Sequence, residues 1–251
     1  MLLESKNAII YGGGGAIGGA VGRAFAREGA RVFLAGRTVA RLDAVASGIR
    51  AAGGTAETAQ VDALDERAVD EHADAVAARA GSIDISFNLI SQGDVQGIPL
   101  ADMRLADFMQ PVVTTVTTMF ITARAAARHM IRQRSGVILA FGGYGDPPPG
   151  FNLGGLQVAF GAVESLRRSL ACELGRYGIR VLTLQTGGIP ESLPAGFEGR
   201  EAIAAQIVGR TMLDRAATLE DVGNAAAFAA SDWARTMTAT ALNITCGAEV
   251  D

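Results

Sequence analysis

Gly13, Gly15 and Gly18 stand at the spacing G-x-G-x-x-G, inside the run Ile9-Ile10-Tyr11-Gly12-Gly13-Gly14-Gly15-Ala16-Ile17-Gly18. An apolar strand pattern precedes these glycines. An Ala-rich helix pattern follows, and Val21, Phe25 and Ala26 continue its apolar stripe. This is the context a phosphate cradle needs. Glycine lets the backbone turn tightly and approach a pyrophosphate, and the unpaired N–H groups of the helix start face its charge. The alternative is a flexible glycine linker, and the apolar stripe behind the loop argues against it. Gly12, Gly14, Gly15, Ile17 and Gly18 are the expected dinucleotide contacts.

A second signal lies at Gly36-Arg37-Thr38, where the second strand pattern ends. An acid there takes the ribose hydroxyls of NAD, whereas an arginine pairs with the 2′-phosphate of NADP. Positions 36 and 37 carry no acid, so NADP(H) is expected over NAD(H), with Arg37 as its ligand; a plain surface arginine is the alternative. Asp62 ends the third strand pattern. It is either an acceptor for the adenine amino group or a cap for the next helix.

These groups have to be held by a regular frame, and the chain alternates strand and helix signals throughout. Strands are expected at 7–11, 31–35, 56–61, 84–90, 136–141, 179–185 and 240–245. Helices are expected at 17–29, 38–52 with Thr38 as its cap, 65–80, 107–134, 156–177, 201–212 and 219–231. Such alternation implies an α/β fold with one doubly wound parallel sheet and right-handed crossovers. Ligands of such sheets bind beyond the carboxyl ends of the strands. No repeat, charged tail or linker divides residues 1–251, so one domain is expected.

The 251 residues carry a net charge of −4 and no basic tract, which speaks against nucleic-acid binding. No run of 18 apolar residues occurs, so no membrane span is expected. No secretory signal is recognisable before the first strand, and Cys172 and Cys246 fit free thiols of a reducing cytoplasm. His72 and His129 are far apart and are expected to be solvated or at helix ends rather than metal ligands. The long stretch 186–217 after the sixth strand is expected to be a substrate loop, with Gly187 and Gly188 as hinges and Phe197 as a lid residue.

Nearly the whole chain resembles the short-chain dehydrogenase/reductase family. Tyr11-Gly12-Gly13-Gly14-Gly15-Ala16-Ile17-Gly18 is similar to its T-G-x-x-x-G-x-G, with Tyr for Thr and Ala16 for the middle Gly. Asn88-Leu89-Ile90-Ser91 matches N-N-A-G at its first Asn. Leu170-Ala171-Cys172-Glu173-Leu174, Gly178-Ile179-Arg180-Val181 and Thr186-Gly187-Gly188-Ile189 resemble the segments that follow the family's active site. The resemblance implies a Rossmann-like fold and a nicotinamide cofactor touching also Asn88 and Ile189. It implies a homodimer or homotetramer through the helices at about 107–134 and 156–177. Thr114, Thr115, Thr117 and Thr118 on the first of these are expected to be buried against a partner.

The resemblance also implies four catalytic groups, and none is present. In register, the family's Asn falls on Thr115, its Ser on Gly143, its Tyr on Leu156 and its Lys on Phe160. Leu156 and Phe160 can neither donate nor accept a proton, and four residues apart on a helix they face one way. The nearest replacement is Tyr144, one residue past the lost Ser; Ser91, Asp146 and Ser192 are weaker candidates at the same rim. The expected function is an oxidoreductase that reduces a small apolar carbonyl or enoyl substrate with an unusual proton donor. The alternatives are a catalytically inactive sensor or partner subunit, and a non-redox lyase or isomerase.

Overall fold

The computed structural model describes residues 1–143, 150–194 and 196–250. Seven parallel strands form one sheet in the order β3-β2-β1-β4-β5-β6-β7. They are β1 (Asn7–Tyr11), β2 (Arg31–Gly36), β3 (Thr55–Gln60), β4 (Ile85–Asn88), β5 (Gly136–Gly142), β6 (Ile179–Gln185) and β7 (Thr240–Asn243). Helices α1 (Ala16–Arg27), α2 (Val39–Ala51), α3 (Glu66–Ala80), α4 (Leu105–Gln133), α5 (Leu156–Leu174), α6 (Arg200–Val208) and α7 (Leu219–Ala230) connect them. The α/β, doubly wound, single-domain architecture read from the sequence is the one observed. Among the described residues, no helix is long and apolar enough to cross a membrane.

Successive residues of a strand point to opposite faces, so continuously apolar strands feed two cores. Ala8 and Ile10 of β1 join Val21 and Phe25 of α1 and Val222 and Ala226 of α7 on one face. Ile9 and Tyr11 join Val69 of α3, Met119 of α4 and Val163 of α5 on the other. Small residues bring α1 and α7 together: a Cβ on Gly223 would stand 2.8 Å from the Cβ of Ala24. The strand order reverses between β1 and β4, and this opens the crevice above their carboxyl ends.

Several local expectations are corrected. Thr38 is the N-cap of α2, yet its side chain makes no capping hydrogen bond. Asp65, not Asp62, caps α3, accepting from the N–H groups of Arg67 and Ala68. Helix α6 ends at Val208 rather than 212, where Gly209 and Arg210 close a tighter last turn. The two histidines are neither solvated nor at helix ends. His129 is buried in α4, with Nε2 2.8 Å from an Asp74 carboxylate oxygen on α3 and Nδ1 2.8 Å from Arg132. His72 of α3 packs edge-on against Tyr11, centroids 5.9 Å apart.

Burial, aided by the nearby Arg79 charge, pushes the His72 pKa down to about 4. The unfolded chain therefore takes up this proton first as the pH falls through about 6.5. The His72 contribution is complete above that value and declines between about pH 6.5 and 4. Between pH 7 and pH 5 the loss is expected to be about 2 kcal/mol. His72→Phe keeps a ring beside Tyr11 and cannot titrate. Urea midpoints at the two pH values should show this part of the acid sensitivity disappearing in the variant.

Candidate functional site

The glycine run after β1 is shaped by backbone contacts that admit no side chain. Gly12 has φ +82°, and a Cβ there would overlap the carbonyl of Leu89. The N–H groups of Gly12 and Gly13 donate to the Ala35 carbonyl at 2.8 and 3.2 Å, and that of Gly15 to the Gly12 carbonyl at 3.0 Å. A Cβ on Gly18 would overlap the Gly12 carbonyl, so the first turn of α1 can lie against the loop only with glycine at 18. Gly15 is the N-cap of α1. It supplies no side-chain hydrogen bond, and no acid lies in the first turn. The positive end of this helix is therefore left for an anion.

This helix start forms one wall of a cleft of about 280 Å³ in the crevice between β1 and β4. Gly15, Ile17 and Gly18 line it from the loop, and Asn88, Ser91 and Gln92 from the end of β4. Thr115, Thr118 and Met119 of α4 and Phe141 of β5 complete the floor, and Ser192 stands at the rim. Asn88 is fixed from two sides. Its amide Nδ2 donates to the Thr122 hydroxyl at 3.3 Å, and its Oδ1 accepts from the Ile90 N–H at 3.0 Å. The α4 threonines Thr115 and Thr117 are half-buried in this chain. Thr114, Thr118 and Thr122 are buried within it. The buried Oγ1 of Thr115 has no hydrogen-bond partner among the described residues.

The other positions follow the fold. Arg37 is exposed at the carboxyl end of β2, and its carbonyl accepts from Gln60 at 3.3 Å. Gly14 lies against a second arginine, since its Cβ would stand 3.0 Å from the Cβ of Arg41 on α2. Arg41 carries no motif signal; only the packing of α2 on the loop reveals it. Asp62 is exposed at the end of β3, and one carboxylate oxygen accepts from the Leu64 N–H at 3.0 Å. Ile189 is a buried member of the core, and its carbonyl receives the Ser192 hydroxyl at 2.7 Å. Ser192, three residues on, reaches the cleft. Tyr11 points to the core beneath α3, where burial raises its pKa and keeps the phenol neutral. Tyr144 and Asp146 lie outside the described residues.

Two of the four positions that the family resemblance singles out, Gly143 and Phe160, lie against each other. A Cβ on Gly143 would stand 2.6 Å from Cε2 and 2.8 Å from Cδ2 of Phe160. A Cβ on Gly142 would meet the same ring at 3.6 Å. Phe160 thus lies across the two glycines that end β5, in the space a side chain at 143 would use. Leu156 is buried one turn earlier on α5. With Val163 in the cleft wall, this side of the site is apolar.

The sequence profile of a family described as enoyl-(acyl carrier protein) reductase matches residues 14–249. Secoisolariciresinol dehydrogenase from Forsythia intermedia is 31% identical over 242 residues, covering 93% of this chain and 85% of that protein. L-rhamnose 1-dehydrogenase (NAD(P)(+)) from Azotobacter vinelandii is 31% identical over 256 residues, covering 98% of each. Among solved structures, a short-chain type dehydrogenase/reductase from Mycobacterium marinum superposes with a TM-score of 0.86. It is 28% identical, covering 99% of this chain and 97% of that one.

Proposed function

This chain belongs to the short-chain dehydrogenase/reductase family of oxidoreductases, and from that premise we propose that it is an NADP(H)-binding reductase of a small apolar carbonyl or enoyl substrate. The observation that carries the reading is the phosphate cradle at Gly12–Gly18, which opens directly on the cleft between β1 and β4. The cradle fits a pyrophosphate: glycine at 12 and 18 lets the loop pack on Leu89 and the helix start pack on the loop, and that helix start lacks a capping side chain. Arg37, with Arg41 beside Gly14, supplies the cations for a 2′-phosphate. A nicotinamide cofactor supplies hydride transfer in this family. The chain's own part is to hold and orient the cofactor, through Asn88, Thr115 and the loop, and to exclude water with Met119, Phe141 and Val163.

The description of the matching family as an enoyl reductase supports the enoyl substrate, and so do Met119, Phe141 and Val163 in the cleft lining, while Leu156 and Phe160 stand where the resemblance puts the family's Tyr and Lys. Neither residue can supply a proton, so we assign that role to Tyr144, next in sequence to Gly143 at the carboxyl end of β5. Tyr144→Phe should lower turnover by about 10²-fold or more while leaving cofactor affinity unchanged. A second reading draws on Phe160 lying over Gly143: a protein that binds the adenosine and pyrophosphate half and acts as a sensor or partner subunit.

Calorimetric titrations separate the two. In the reductase reading NADPH binds at least tenfold more tightly than 2′-phospho-AMP, because the nicotinamide half is also seated. Equal affinities would leave the sensor reading standing. Arg37→Ala should weaken NADPH about tenfold and leave NADH unchanged, as expected for loss of one charge-assisted contact. An equal loss for both cofactors would refute the NADP assignment.

We further propose a homodimer or homotetramer through α4 and α5. Support comes from large apolar side chains on these helices that the single chain leaves exposed: Val113 at 53%, Phe120 at 46% and Val158 at 49%. Val113→Glu/Phe120→Glu should reduce the mass in sedimentation equilibrium to that of one chain, and an unchanged mass would place the contact elsewhere.

A further inference from the structure

A second cavity, of about 290 Å³, opens at the opposite end of the sheet from the cleft. Ile85, Gly136 and Ile179, at the amino ends of β4, β5 and β6, form its floor. Its charged wall residues are Lys6, Asp84, Arg180, Asp232 and Arg235. None of these three cations lies within ion-pair distance of a carboxylate among the described residues. By contrast, Arg31, Arg124, Arg167 and Arg210 each meet one.

Arg180 is held in place by neutral groups alone. One terminal nitrogen donates to the carbonyls of Ala229 and Met237 at 2.8 and 3.4 Å, the other to the Ser231 carbonyl at 3.0 Å. These contacts close the carboxyl end of α7 and use three bonds of a group with five N–H donors. Burial lowers the Arg180 pKa, as expected for a charge whose solvent has been replaced by dipoles; the nearby Asp232 charge opposes the shift. Asp84 is already engaged, one oxygen accepting from the Asn7 N–H and the Ser82 hydroxyl at 2.8 Å each. The side chains of Lys6 and Arg235 have no ion-pair or hydrogen-bond partner among the described residues.

We propose that this cavity is a second ligand site, and that it takes a compact doubly charged oxyanion such as a phosphate group, held by Lys6, Arg180 and Arg235. One arginine held by three carbonyls, with two further cations beside it around a small concave space, favours such a ligand. Asp84 and Asp232 bring the wall's formal charge to only +1, which selects against extended polyanions. The site stands apart from the cofactor reading, because the cleft lies beyond the other ends of the strands.

The chain carries its own reporter. Trp233, its single tryptophan, lies on the 3-10 helix Asp232–Ala234 between two of the wall residues and is 78% exposed. Tryptophan emission of the full chain is followed during titration with inorganic phosphate at constant ionic strength, with chloride and succinate as parallel arms. A saturable change is expected with phosphate and none with chloride. Lys6→Ala/Arg235→Ala, at solvent-facing positions, should weaken the apparent affinity at least tenfold. Phosphate bound at the glycine loop would be indifferent to that double variant. The proposal fails if no saturable change occurs, if the double variant behaves like the parent, or if succinate saturates and phosphate does not.

Discussion

Gly18→Ala is expected to lower NADPH affinity by at least about 100-fold, although alanine is the better helix former. Gly18 is in the first turn of α1, where propensity alone favours Ala by about 1 kcal/mol. The tertiary contact reverses that sign. The new Cβ would overlap the Gly12 carbonyl, a backbone atom that Gly12, itself at φ +82° against Leu89, cannot move away. Either the helix start withdraws from the loop or the loop opens, and both displace the N–H groups aimed at the phosphate. Overpacking of this kind costs about 1–3 kcal/mol of stability, so the folded variant should remain available for titration. Gly48→Ala is the control. Gly48 lies in α2 with nothing within 4 Å of its Cβ, and the exchange should stabilise by about 0.5–1 kcal/mol. Wild-type NADPH affinity in Gly18→Ala would remove the glycine loop from the cofactor site.

Replacing Gly143 with serine, the residue type the family carries there, should harm this protein unless Phe160 changes with it. The serine Cβ would stand 2.6 Å from the Phe160 ring. Relief of that contact requires the half-buried ring to turn away from Gly143. Gly143→Ser alone should therefore cost about 1–3 kcal/mol. In the pair Gly143→Ser/Phe160→Lys this clash is gone, and the double-mutant cycle should show a coupling of about 1–2 kcal/mol. Strict additivity in urea unfolding would contradict the packing argument. Adding Leu156→Tyr puts a proton donor at the α5 position where the family resemblance places its Tyr. If the cofactor is seated as proposed, this triple variant should gain about 10²–10⁴-fold in NADPH turnover on a carbonyl panel. A triple variant that folds and binds NADPH, yet gains nothing, would favour the sensor reading.

Much of the site could be read before any coordinates. A glycine loop between a strand and a helix is a local pattern, and Gly12, Gly15, Ile17 and Gly18 all stand where that pattern puts them. Asn88 ends β4 beside the cleft, as its place in the motif implies. Register along α4 and α5 lines up Thr115, Leu156 and Phe160 with the Asn, Tyr and Lys that the family resemblance implies, and spacing back from Leu156 lines up Gly143 with its Ser. Arg41 escaped notice because nothing in its own neighbourhood marks it; its relevance comes from α2 packing on Gly14. Ile189 and Ser192 illustrate a limit of motif reading. The motif names the segment, but the turn after β6 buries Ile189 and turns Ser192 to the cleft.

The sequence by itself determined the alternation of strands and helices, the parallel sheet and the glycine loop between β1 and α1. Each depends on periodicity or on residue identity at a fixed spacing, and these act over a few residues. Tertiary structure alone decided that Phe160 lies over Gly143, that the Thr115 hydroxyl in the cleft has no partner among the described residues, and that His72 packs half-buried against Tyr11. It also decided that Lys6, Arg180 and Arg235, with no carboxylate at ion-pair distance among the described residues, line one cavity at the far end of the sheet. These follow from which faces of distant elements are pressed together. Close packing fixes such contacts to within a fraction of an ångström, and that information lies between segments rather than within any one of them.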